Sequence, residues 1–175
     1  MRLLALSLLL AAPPALAQPS PDDPSTWAQT ERGVRLLGGS ASIVGFDGEA
    51  QLSAAPRVGL FVADGLALSA GLQATARLGD GTTYLVGVGP TVTYYFGPTT
   101  GPRARPFVEA GGSLYYADFS GGSDVTAGLS GSAGLSFPLA RNVAVRTQAF
   151  VSLPDLADTD LAVYGLSAGF STFIF

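Results

Sequence analysis

The feature that most constrains this chain is an alternation running from Gln51 to Leu78. Every second residue from Leu52 is apolar: Leu52, Ala54, Pro56, Val58, Leu60 and Val62. Between them stand Gln51, Ser53, Ala55, Arg57, Gly59 and Phe61, a mixed set of mostly small or polar residues. After Ala63-Asp64-Gly65 the pattern resumes, with Leu66, Leu68, Ala70, Leu72, Ala74, Ala76 and Leu78 against Ala67, Ser69, Gly71, Gln73, Thr75 and Arg77. A period of two is the strand signature, because successive side chains point to opposite faces of a sheet. A short Asp-Gly connection makes the two strands a hairpin. Each is about 12 residues long, and a tilted strand crosses a bilayer core in roughly 9–11. One face carries no polar side chain, while the other holds Arg57, Gln73 and Arg77. That is the pattern of a strand with lipid outside and a polar interior.

Composition agrees with this pattern. The 175 residues allow one domain, and they are 47 % hydrophobic with only 13 % charged. No uninterrupted apolar run reaches the roughly 20 residues of a membrane helix. High hydrophobicity spread over alternating positions fits a membrane barrel instead. Residues 1–17 read as a cleaved signal peptide: Arg2, an apolar stretch from Leu3 to Ala12, and an Ala15-Leu16-Ala17 cleavage signal. Residues 18–32, rich in proline and polar groups, form a flexible periplasmic lead-in. Residues 33–175 form the barrel. The chain has no cysteine, which excludes disulfides, thiolate metal sites and a lipoprotein anchor. A net charge of −4 excludes a basic nucleic-acid-binding surface.

The same alternation recurs along the chain. A first strand spans about Gly33 to Phe46, with Val34, Leu36, Val44 and Phe46 on one face and Arg35 and Leu37 on the other. In a fourth, Tyr84, Val86, Val88, Pro90, Val92, Tyr94 and Phe96 face out and Thr91, Thr93 and Tyr95 face in. Gly97 to Arg105 is a connection. The fifth, from Phe107, turns Phe107, Glu109, Gly111, Ser113 and Tyr115 inward. The sixth puts Val125, Ala127, Leu129, Ala133, Leu135 and Phe137 outside and Thr126, Ser130, Ser132 and Ser136 inside. Pro138 to Asn142 is a turn. In the seventh, Arg146, Gln148 and Phe150 face in. The eighth ends at Phe175, whose parity is inward unless a bulge intervenes. The expected fold is all-β, an eight-stranded antiparallel up-and-down transmembrane barrel closed between its first and last strands. A soluble lipocalin-like barrel would need the inverse pattern, apolar inside and polar outside.

Charge separates by turn. Asp47, Glu49, Asp80, Asp118, Asp124, Asp155, Asp158 and Asp160 fall at connections after odd-numbered strands, whereas Arg32, Arg103, Arg105 and Arg141 fall at the other end with Asp64. With the amino terminus in the periplasm, the acidic end is extracellular, solvated or bridged by divalent cations among lipopolysaccharide phosphates.

Pro56 to Leu68, Gly87-Val88-Gly89-Pro90 with Tyr94-Tyr95-Phe96, Arg105 to Glu109 and Phe137 to Val145 together resemble hairpins of the small bacterial outer-membrane β-barrel domain family, of OmpX-like and OmpA membrane-domain-like, porin-family type. Phe173-Ile174-Phe175 resembles the signal read by the barrel assembly machinery. The resemblance implies a monomer in the outer membrane of a Gram-negative-type bacterium, with lipid, lipopolysaccharide and the assembly machinery as partners. The connections after odd strands are short, which counts against a large adhesive surface. No activity follows from fold alone.

Motifs of catalysis are weak. Gly165-Leu166-Ser167-Ala168-Gly169 matches a nucleophile elbow, but it lies in a strand and the chain has no histidine. Asp155 to Asp160 lacks the full ligand ladder and the glycine of a calcium loop. The expectation is therefore a non-enzyme without cofactor or metal. The functional candidates are the inward charges Arg57, Arg77, Glu109 and Arg146, with Arg35 as a further one. Counted from the turns, Arg57, Glu109 and Arg146 fall in nearly the same layer, one carboxylate between two guanidiniums, the second of which needs water or the hydroxyl of Tyr95 or Tyr115. In a narrow barrel the inward charges form either a salt-bridged plug in a side-chain-filled lumen or, since arginines outnumber the glutamate, an anion-preferring path. The function expected is envelope structure or surface interaction, with a narrow channel or transporter for small solutes as the alternative.

Overall fold

The computed structural model describes residues 27–46, 49–78, 83–119, 122–156 and 162–175, apart from the side chains of 44–46, 49–50, 77, 83, 117–119 and 122–124. Eight strands follow one another: β1 (Arg35–Phe46), β2 (Glu49–Ala63), β3 (Leu66–Leu78), β4 (Thr83–Tyr95), β5 (Arg105–Phe119), β6 (Gly122–Ala140), β7 (Val143–Leu153) and β8 (Val163–Ile174). Each pairs antiparallel with the next, and β1 pairs with β8, so the sheet closes into a barrel without an edge. The alternation sets the register. Leu60 lies opposite Leu68 and Arg57 opposite Gly71, so each face of β2 continues onto the matching face of β3.

The β2–β3 hairpin turns at Asp64-Gly65, where Gly65 has φ of 75° and the register shifts between Phe61 and Ala63. A glycine there adopts the left-handed conformation without the clash a Cβ would bring. The β6–β7 hairpin differs from expectation. Strand β6 continues through Pro138 to Ala140, and the turn is Arg141-Asn142. The register shifts between Pro138 and Ala140, so the proline, which lacks an N–H, sits next to a ladder irregularity. Strand β5 likewise starts earlier than expected, at Arg105.

The outer surface carries an exposed aliphatic belt that includes Val58, Leu72, Val88, Leu114, Leu129 and Leu166. Tyr84, Tyr116 and Tyr164 flank it toward one end, and Tyr94, Phe96, Phe137 and Phe175 toward the other. The second end, which holds both described termini and the β2–β3, β4–β5 and β6–β7 connections, is the turn end; the other is the loop end. Of the acidic connections, Asp47, Asp80, Asp158 and Asp160 lie outside the described residues, as do the side chains of Glu49, Asp118 and Asp124.

Inside the turn end the lumen holds an apolar cluster. Val34, Leu36, Phe61, Ala67, Tyr95, Phe107, Ala144 and Phe173 form a buried cluster. Its rings interlock, with centroids 5.6 Å apart for Phe61–Tyr95, 5.6 Å for Tyr95–Phe107 and 6.3 Å for Phe61–Phe173. This cluster corrects the candidacy of Arg35. Val34 and Leu36 take the inner face of β1, and Arg35 is exposed on the outside. It also accounts for the end of β8. Phe173 takes the inner position, and Phe175 lies past the strand, exposed, with the Arg141 guanidinium 5.1 Å from its ring centre.

The described part of the lead-in packs against the barrel rather than hanging free. Gly65 N–H donates to Thr30 O at 2.8 Å, and Gly101 N–H to Trp27 O at 3.0 Å. The Gln29 amide, fully buried, donates to Ala140 O at 2.6 Å and Arg141 O at 3.2 Å. Trp27 to Arg32 thereby bridge three connections across the barrel mouth. Composition argued for flexibility over residues 18–32; of these, 18–26 lie outside the described residues, and the groups at 27–32 find partners that only the closed barrel brings together.

Candidate functional site

Directly above the apolar cluster, three strands project charge into one layer. Arg57 comes from β2, Glu109 from β5 and Arg146 from β7, all on the inward parity of their strands. Both guanidiniums bond the same carboxylate oxygen. Arg57 Nη1 and Arg146 Nη2 donate to Glu109 Oε2, the latter at 3.0 Å, and Thr93 Oγ1 donates to it at 2.7 Å. Charge-assisted hydrogen bonds of this kind are about twice as strong as neutral ones. The Arg146 guanidinium also lies 3.8 Å from the Phe107 ring centre and 5.8 Å from that of Tyr95. A cation over an aromatic face gains from the ring quadrupole, more so when desolvated. The charge layer and the aromatic floor are thus one packed unit.

The second guanidinium, that of Arg146, therefore uses Glu109, Gln148 Oε1 at 3.3 Å and aromatic faces. The tyrosine hydroxyls that sequence reasoning offered it are placed elsewhere: Tyr115 OH donates to Gln73 Oε1 at 3.0 Å, and Tyr95 OH is buried without a partner among the described residues. The backbone of Arg77 pairs near the loop end, opposite Gln51 and Thr83, and its side chain lies outside the described residues.

Sequence reasoning assigned Arg105 to a connection, and the structure places it inside. It opens β5 on the same parity as Phe107 and Glu109 and is buried. Its Nε donates to Pro98 O at 3.0 Å and its Nη2 to Gly101 O at 2.9 Å. Its Nη1 reaches Gln29 Oε1 at 3.4 Å. The parity was visible in Arg105-Pro106-Phe107-Val108-Glu109, but the intervening proline read as the end of a loop.

Above the charge layer the expected filling gives way. A cavity of about 720 Å³ extends toward the loop end, reaching Gln51, Thr126 and Val163. Eight strands leave a bore that ordinary side chains just fill. Here the inward positions include Ser40, Ser53, Thr91, Ser113, Ser130 and Ser132, which are too small to do so. Large groups fit where glycine yields space. Tyr115, wholly buried, lies beside Gly87, where an added Cβ would come within 2.5 Å of its ring. Side chains thus pack the turn end of the lumen, and the cavity lies above them.

No protein-family model and no curated protein sequence matches the chain. Solved structures do. The Neisserial surface protein A (NspA) aligns with a TM-score of 0.59 at 18 % identity, over 79 % of this chain and 94 % of that one. The N-terminal β-barrel domain of Pseudomonas aeruginosa OprF aligns with a TM-score of 0.59 at 15 % identity, over 82 % and 98 %. A de novo designed transmembrane β-barrel aligns with a TM-score of 0.52 at 14 % identity, over 83 % and 99 %. At these identities the likeness establishes the fold, that of small eight-stranded transmembrane barrels. Since a designed chain shares it, the fold carries no activity with it.

Proposed function

We propose that this chain is an integral outer-membrane barrel without enzymatic activity, closed to through-flow, which serves envelope structure or contacts at the cell surface. The observation that carries the reading is the closed turn end: an aromatic floor, a bonded charge layer above it, and the Gln29 segment across the mouth. Support for membrane residence comes from the aliphatic belt between two aromatic rims, the arrangement a lipid-facing barrel requires. The barrel structures it resembles, from NspA and OprF, point the same way. In this reading the chain is exported by its leader, is recognised by the barrel assembly machinery through Phe173-Ile174-Phe175, and stands as a monomer among outer-membrane lipid and lipopolysaccharide with its turn end in the periplasm. The absence of histidine and cysteine removes the usual nucleophile–base pairs from consideration.

The alternative, a narrow solute path, draws on the hollow upper lumen. Planar-bilayer recording on refolded full-length protein separates the two. The expected result is no resolved ion current from the wild type and a current from the floor-opening variant Phe61→Ala/Phe107→Ala. Steady unitary currents from the wild type, unchanged in that variant, would refute the closed reading.

A further inference from the structure

We propose that the upper lumen is a blind binding cup for a small polyhydroxylated anion, a sugar acid or sugar phosphate, whose charged group rests on the guanidinium-rich floor. The inference rests on the closed-floor reading and assigns that lumen a ligand. Its volume of about 720 Å³ lies within the roughly 300–1,000 Å³ of small-molecule sites.

The floor has cation to spare. Arg57 and Arg146 share one carboxylate, and both they and Glu109 line the cavity. Among the described residues the other carboxylate on its lining is Asp155, in the connection after β7 at the loop end. Arg146 is only 3 % exposed, and its Nε and Nη1 have no partner among the described residues; neither has Arg57 Nε. Each guanidinium carries five N–H donors and no acceptor. Unmatched donors and unmatched charge at a buried position are costly. Two guanidiniums on one carboxylate leave the floor net positive among the described residues, and an anion resting on it balances that charge.

The walls select the rest of the molecule. Ser132, Ser167, Thr91, Ser130 and Gln148 line the cavity; the Ser132 and Ser167 hydroxyls are buried without a partner among the described residues, and Gln148 Oε1 accepts from Arg146 Nη2 at 3.3 Å. Hydroxyls and amides both donate and accept, so they match a body that bears hydroxyls of its own. A lumen meant only as a plug would carry large side chains at these positions, as it does one layer below.

Isothermal titration of the full chain, refolded in detergent micelles, tests this with four probes: gluconate, glucose 6-phosphate, glucose and inorganic phosphate. Gluconate or glucose 6-phosphate, and whichever binds names the charged group, should bind one to one, with glucose and inorganic phosphate each at least about tenfold weaker. Ser130→Phe, which grows into the cavity two residues along β6 from Ser132, should abolish binding while the folded band on an unheated gel is retained. Arg57→Gln should reduce the anion to the affinity of glucose; if that variant fails to fold, Ser130→Phe decides alone. Silence from all four probes overturns the proposal. So does wild-type binding by Ser130→Phe, glucose binding as tightly as either anion, or inorganic phosphate binding as tightly as its sugar ester. Conductance is measured separately, so failure of the cup is distinguishable from failure of the closed floor.

Discussion

Replacing Glu109 by glutamine removes the single carboxylate that holds the charge layer together while keeping its shape. Three donors converge on Oε2, and the side chains of Arg57, Arg146 and Glu109 are only 13 %, 4 % and 15 % exposed. Two guanidiniums bonded to one oxygen stand roughly 5 Å apart, and at an effective dielectric of about 20 their repulsion is about 3 kcal/mol once the carboxylate no longer offsets it. Breaking a buried pair from one side usually costs about 3–5 kcal/mol. The glutamine oxygen still accepts one or two of the donors, and the cavity above admits water, so a loss of about 2–4 kcal/mol is expected. Urea unfolding of the barrel in detergent, followed by β circular dichroism and by the folded band on an unheated gel, measures it. Asp64→Asn at the exposed turn is the comparator and should stay within about 0.5 kcal/mol of wild type. Adding Arg57→Met to Glu109→Gln removes one of the two opposed charges and should restore about 1–2 kcal/mol. The reasoning is refuted if Glu109→Gln is as mild as Asp64→Asn, or if the double variant is no more stable than Glu109→Gln alone.

Two further outcomes follow from packing. Leu72 is 55 % exposed on the outer face of β3, so Leu72→Arg should cost about 2–4 kcal/mol in lipid, whereas Gln73→Arg, facing the cavity, should be much milder; vesicle unfolding titrations compare them, and a reversed order would place the register of β3 one residue out. Gly87→Val drives a side chain into the Tyr115 ring and should cost about 1–3 kcal/mol, while Gly131→Ala, whose added Cβ would meet nothing nearer than 3.8 Å, should be close to neutral by the same assay.

The strands, their faces and the closure of the barrel were legible in the sequence, because a period of two maps each residue to one side of a sheet and a lipid-facing sheet cannot keep an edge. Arg57, Glu109 and Arg146 could be placed inside on parity alone. Counting from the turns put the three at a similar depth, but which atoms meet depends on the register between strands, and only the assembled barrel brings β2, β5 and β7 together so that both arginines meet one oxygen of Glu109. The same holds for Arg35 and Val34. Both parities of β1 looked tenable in isolation, and the aromatic floor of Phe61, Tyr95, Phe107 and Phe173 selects the one that buries Val34 and Leu36. Gln29 belongs to a segment with no periodicity to read, and its role follows from a carbonyl distant in sequence, at Ala140; Arg105 has the inward parity of Phe107, but its partners at Pro98 and Gly101 lie in the connection before it, whose course no periodicity encodes. The hollow above the charge layer was the least legible feature. A list of inward serines and glycines states which side chains are small, but whether they meet or leave a gap depends on the bore of the closed barrel. Sequence alone determined the alternation, and through it the two faces; tertiary structure decided which inward groups touch within a layer and how much space remains between them, because contact across a lumen is set by strand register and curvature that no single strand encodes.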